Sequence, residues 1–89
     1  PNPCNPTTTV RMRVEGDPAA DLAAAAVLEI YDLRGRRVST VVGGRVVDGW
    51  LAIEWQGRDD AGAAVASGRY GYLVRMGSVQ SRGMLSVVR

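Results

Sequence analysis

Ile53-Glu54-Trp55-Gln56-Gly57-Arg58-Asp59-Asp60-Ala61-Gly62, continued by Ser67-Gly68-Arg69-Tyr70-Gly71-Tyr72, is the stretch on which the fold of this chain turns. Two runs that alternate large apolar with small or polar residues flank a polar loop punctuated by glycine. Alternation with period two gives a strand one apolar face. Leu51, Ile53 and Trp55 share a face of the first run, and Tyr70, Tyr72 and Val74 share a face of the second. Two such strands joined by a glycine-bearing loop predict a β-hairpin with a loop longer than two residues. Asp60-Ala61-Gly62 predicts a tight turn inside that loop.

Working outward, Trp50 opens the first strand, and residues 45–49 read as a connection behind Gly43-Gly44. Residues 26–32 and 37–42 read as two strands closed into a hairpin by Asp32-Leu33-Arg34-Gly35, with Gly35 where positive φ is cheap. Ala26, Leu28 and Ile30 share one face there. Val10, Met12 and Val14 alternate with Arg11, Arg13 and Glu15, which predicts a half-buried strand. Residues 16–25 read as a loop with room for one helical turn, because a short alanine run has little to hold it in isolation. After Gly77-Ser78, residues 79–88 form the last strand. At the other end, the prolines of Pro1-Asn2-Pro3-Cys4-Asn5-Pro6 remove N–H donors and favour extended geometry. Residues 1–7 are therefore an extended lead-in or linker, and residues 8–89 a single domain.

About seven short antiparallel strands with glycine-rich turns and no substantial helix predict an all-β, Ig-like β-sandwich. Val10, Met12, Leu28, Ile30, Val38, Ile53, Trp55, Tyr70 and Tyr72 are its expected core. Cys4 is the one cysteine, so the chain forms no internal disulfide.

The chemistry-bearing residues argue against an enzyme. The chain has no histidine, which removes the commonest general base and most zinc sites. The net charge is +2, and the 11 basic residues, all arginine, are spread along the chain rather than gathered as a nucleic-acid footprint would be. No window approaches the ~20 apolar residues of a membrane helix. Asp59 and Asp60 invite a calcium reading, but an Asp pair before Ala-Gly is more often turn chemistry. Glu54 and Asp59 invite a paired-carboxylate reading, which a strand position and a loop position do not support. Trp50, Trp55, Tyr70 and Tyr72 invite a sugar-stacking reading. Three of them lie on expected inner faces, and Trp50 alone falls outside one. The chain is read as non-catalytic and without cofactor or metal.

The order of motifs is specific. It runs Asn2-Pro3-Cys4-Asn5-Pro6-Thr7-Thr8, then Leu28-Glu29-Ile30-Tyr31-Asp32-Leu33-Arg34-Gly35-Arg36-Arg37-Val38. Trp55-Gln56-Gly57-Arg58-Asp59-Asp60-Ala61-Gly62 follows, with Val65-Ala66-Ser67-Gly68-Arg69-Tyr70, and the chain closes on Arg82-Gly83-Met84-Leu85-Ser86-Val87-Val88-Arg89. Taken together these resemble the C-terminal sorting domain (type A) of proteins exported by the bacterial type IX secretion system, a family related to the FlgD-type Ig-like domain of the flagellar hook-capping protein. The resemblance covers nearly the whole chain. Its motif residues are Gly35, Trp55, Gly57, Arg58, Asp59, Gly62, Gly68, Tyr70 and Tyr72. The chain departs from the family in its longer, alanine-rich segment 16–25, in Gln56, in the lack of a lysine near Gly83, and in Ser86.

The resemblance implies a tag that is covalently part of a larger cargo protein of a Gram-negative bacterium. The tag would carry its parent through the periplasm for secretion or attachment at the outer cell surface. The implied partners are the outer-membrane secretion machinery and, where the tag is removed, a sortase-like peptidase. Nucleic acid is not an expected partner, and the domain is expected to be monomeric. The last strand is the expected recognition element, through Arg82, Met84, Leu85, Val87, Val88 and Arg89. Two other readings compete: a structural FlgD-type Ig-like module of a hook-capping protein, and an accessory spacer or carbohydrate-binding module of an extracellular hydrolase.

Overall fold

The computed structural model describes residues 7–89; Pro1-Asn2-Pro3-Cys4-Asn5-Pro6 and the readings made on it lie outside the described residues. Seven strands and one short helix follow in the order β1 (Thr8–Arg13), α1 (Ala20–Ala24), β2 (Val27–Tyr31), β3 (Arg37–Val42), β4 (Arg45–Val47), β5 (Trp50–Trp55), β6 (Gly68–Met76) and β7 (Val79–Val87). They form two antiparallel sheets, β1-β5-β4 and β3-β2-β6-β7. The all-β sandwich is therefore as the sequence predicts.

The alternation explains the core. Val10 and Met12 of β1 and Leu51, Ile53 and Trp55 of β5 are buried from one sheet, and Leu28, Ile30, Tyr70, Val74, Met76 and Val87 from the other. Fully burying a side chain of this size is worth about 1.5–3 kcal/mol, so these alternating positions dominate the stability of the fold. Val38 and Tyr72, expected in the core, are only partly buried and pack against it. Val38 is the extra residue of a β-bulge, since Ile30 pairs with Ser39 and Tyr31 with Arg37; the bulge turns it out of the regular inward row. Tyr72 pairs with Ile30 on one side and Gly83 on the other. Its ring covers the glycine, where an added Cβ would stand only 2.5 Å from the Tyr72 hydroxyl.

Two sequence-based expectations fail. The stretch from Ile53 to Tyr72 is not a hairpin: β5 belongs to the three-stranded sheet and β6 to the four-stranded one. The segment between them is an arch that crosses from one sheet to the other. Trp55 and Tyr70 face each other through the core rather than along a ladder, with ring centroids 5.8 Å apart and planes at 68°, the edge-to-face geometry that aromatic quadrupoles favour. Second, residues 45–49 are not merely a connection, because Arg45–Val47 forms β4 and pairs with Leu51 and its neighbours. Gly44 makes this possible, since a Cβ there would stand 2.8 Å from Ile53 Cγ1 and 2.9 Å from Leu51 Cδ1.

Candidate functional site

The motif residues of the arch build a small self-contained structure. The Trp55 indole N–H donates to the Arg58 carbonyl at 2.9 Å, which satisfies the one polar group of an otherwise buried ring. The Val65 amide donates to the Gly57 carbonyl at 3.0 Å, and the Asp59 amide to the Ala63 carbonyl at 2.8 Å. With the bridge between Arg58 and Ala64 these bonds make a miniature hairpin. Its turn is centred on Asp59, whose Oδ1 accepts from the amides of Ala61 (3.0 Å) and Ala63 (2.9 Å). The Arg58 guanidinium donates to the Gly62 carbonyl at 3.0 Å. Gly57, Gly62 and Gly68 all take positive φ, which bends the chain at both ends of the arch and at its tip.

Three ties fix the arch to the sandwich. The Tyr70 hydroxyl donates to the Ala66 carbonyl at 2.7 Å, a bond back along the chain like that of the tyrosine corner in Ig-like domains. The Asp60 amide donates to the Val38 carbonyl at 3.1 Å, while Asp60 Oδ1 accepts the Thr40 amide at 2.9 Å. Because β3 is an edge strand, this pair covers backbone groups that would otherwise be open to another chain. Arg89 makes the third tie. Its guanidinium donates to the carbonyls of Val65 (2.7 Å) and Gly57 (2.6 Å), and its amide to Ser67 Oγ (3.1 Å). The last residue is thus fastened to the motif loop.

The proposed recognition strand therefore divides by face. Val87 is 3% exposed and Leu85 packs against the core, so both serve the fold. Arg82 and Met84 point outward, and Val88 beyond the strand is 78% exposed. Among the described residues β7 pairs with β6 alone, which leaves its other edge open. Beside it, on the outer face, Tyr31, Gly71, Leu73 and Arg82 line a groove of about 370 Å³.

The carboxylates have local duties. Asp32 Oδ1 accepts from the amides of Arg34 (2.9 Å) and Arg36 (3.0 Å), closing the β2–β3 turn with Gly35 at φ +89°. The backbone bond from Arg36 is the largest of the effects that hold the Asp32 carboxyl below its ordinary value. Tyr31 donates to Glu29 Oε1 at 2.9 Å, and that bond raises its phenol above the ordinary value. Asp59 Oδ1 serves its own turn through the Ala61 and Ala63 amides, while Asp60 Oδ1 accepts the Thr40 amide of the neighbouring strand. Glu54 lies exposed on β5 while Asp59 centres the arch turn. Trp55 and Tyr70 are core residues, and Trp50, 40% exposed, carries the Arg13 guanidinium 5.3 Å from its ring centre. The ties of Asp60 and Arg89 went unread in the sequence. An aspartate immediately after the turn-forming Asp59 was the one available signal, because a side chain not needed in its own turn is free to reach a neighbouring strand.

No helix among the described residues is long and apolar enough to cross a membrane. No curated protein and no solved structure gives a significant match to the chain. A family model does: that of the FlgD Ig-like domain matches residues 5–78. The match takes in β1 to β6, including the whole arch, and ends in the turn before β7. A match over this share of the chain, on a two-sheet sandwich, places the domain: it belongs to the FlgD Ig-like domain family, a non-catalytic type of module.

Proposed function

We propose that this domain is a non-catalytic sorting module that directs its parent protein to the type IX secretion system, for export or attachment at the cell surface of a Gram-negative bacterium. The observation that carries the reading is the state of β7. It closes the sheet through Leu85 and Val87, yet among the described residues its other edge is unpaired, and its outward face presents Arg82 and Met84. An open edge offers main-chain pairing, and alternate side chains supply specificity. The closing motif resembles that of the sorting domains at the same place. The outer-membrane translocation machinery is the proposed partner of this edge, and a sortase-like peptidase would act where the tag is removed from its cargo.

Deleting residues 80–89 is a poor test, because it takes Val87 out of the core and Arg89 out of the arch. The better test carries the 89-residue chain on a periplasmic reporter in a type IX-competent strain. The double variant Arg82→Glu, Met84→Glu alters only the outward face. Export with the native chain and retention with the folded double variant are expected. Equal export of both would remove β7 from recognition.

The second reading is a structural module of the hook-capping type. It is favoured by the family match, which ends at Ser78 and so does not depend on β7. On that reading the native chain leaves the reporter in the periplasm.

A further inference from the structure

The outer face of β1-β5-β4 has a feature that neither the fold nor the sorting reading uses. On β5, Trp50, Ala52 and Glu54 point away from the core, since Leu51, Ile53 and Trp55 point into it. Ala52 pairs with Arg11 on one side and with Arg45 on the other. Two arginines therefore flank one small residue. Neighbouring strands lie about 4.8 Å apart, so the two stems start roughly 10 Å apart and their guanidinium groups can close on one anion above the Ala52 methyl. Among the described residues neither guanidinium group has a hydrogen bond or an ion pair.

The ground around them is recessed. Ala24, Gly43 and Gly44 supply little side-chain bulk where β4 begins, and with Thr9, Arg11, Arg45, Ala52 and Glu54 they line a cavity of about 470 Å³. This lies within the ~300–1,000 Å³ typical of small-ligand pockets. Thr9 and Glu54 are directly paired on the same face. Their oxygens accept hydroxyl protons, and the Glu54 carboxylate disfavours a ligand that is anionic throughout. In the next row Arg13 lies over the Trp50 ring, so the face continues as a flat amphipathic surface.

We propose that this recess binds a sugar unit bearing a single oxyanion, a carboxylate or a phosphate. Arg11 and Arg45 hold the anion by charge-assisted hydrogen bonds. Glu54 and Thr9 take ring hydroxyls, and Trp50 with Arg13 borders the site. A nucleic-acid backbone fits poorly, because repeated phosphates would meet Glu54 and the site is a recess rather than a stripe. The site is on the opposite sheet from β7, so it stands or falls independently of the sorting reading.

The test is a nitrogen–proton NMR titration of the 89-residue chain with galacturonate, glucose 6-phosphate, maltotriose and inorganic phosphate. Saturable shifts at the Ala52 amide and at the side-chain N–H signals of Arg11 and Arg45 are expected with both acidic sugars, and none with maltotriose. Arg11→Gln and Arg45→Gln should each weaken binding about tenfold or more, as losing one hydrogen-bonded charge does. Glu54→Gln should weaken the acidic sugars but not phosphate, and Arg82→Gln on the other sheet should change nothing. The proposal is overturned if neither acidic sugar binds, or if Arg82→Gln weakens binding as much as Arg45→Gln. It is also overturned if inorganic phosphate binds as tightly as the sugars, which would mark a site for any small anion.

Discussion

Trp55 is the residue through which sequence, fold and family meet. Its ring fills the core at 2% exposure, its edge contacts Tyr70, and its N–H holds the first carbonyl of the arch turn. Trp55→Phe keeps an aromatic in the core but leaves the Arg58 carbonyl without that donor. A loss of about 1–2 kcal/mol is expected, from one net hydrogen bond and some packing, read from the urea unfolding midpoint at constant m-value. Asp32 gives a pH signature. Its folded-state carboxyl titrates below the ordinary value, so its contribution to stability is fully present above the unfolded-state value near 4. The contribution is lost as pH falls through the lower, folded-state value. The amide signals of Arg34 and Arg36, bonded to this carboxylate, should move together in an acid titration, with a midpoint below that of an unstructured aspartate. A midpoint at or above it would contradict the assignment of Asp32 as the acceptor that closes the turn.

At the scale of elements, the inward rows of β1, β2 and β5 were legible because period-two alternation says which face is buried. It does not say which sheet a strand joins. Trp55 and Tyr70 face each other whether β5 and β6 lie side by side or across the core, so the aromatic pattern could not separate a hairpin from an arch. Loop length was the available signal: residues 56–67 far exceed the about 2–5 residues usual in hairpins. β4 was hidden for another reason, since its three residues send only Val46 toward the core. The arch ties make two predictions here. Asp60→Ala removes the acceptor for the Thr40 amide and uncovers the β3 edge. It should lower stability by about 1 kcal/mol and raise self-association in sedimentation, as an uncovered edge strand does. Arg89→Ala removes the guanidinium from the carbonyls of Val65 and Gly57 and leaves Gly57 with the Val65 amide. Hydrogen exchange across residues 57–67 should speed up by about tenfold, or about 1.4 kcal/mol of local opening, while the β2 and β6 amides stay protected.

For the whole molecule, the sandwich separates its tasks. The arch and the two inner faces carry the motif that makes this a FlgD Ig-like domain. β7 lies past the matched residues, adds Val87 to the core, and among the described residues leaves one edge open. The sequence showed a last strand, but not which of its side chains face out, because Met84, Leu85, Val87 and Val88 suit either register. Pairing with β6 settles this by turning Leu85 and Val87 inward and Arg82 and Met84 outward. The sorting reading rests on that outward face and the open edge beside it, and the most direct measurement is reporter location. With residues 1–89 fused to a periplasmic reporter in a type IX-competent strain, the reporter is predicted outside the cell or on its surface. The folded Arg82→Glu, Met84→Glu variant is predicted to leave it in the periplasm. A reporter that stays in the periplasm with the native chain would contradict the sorting function itself.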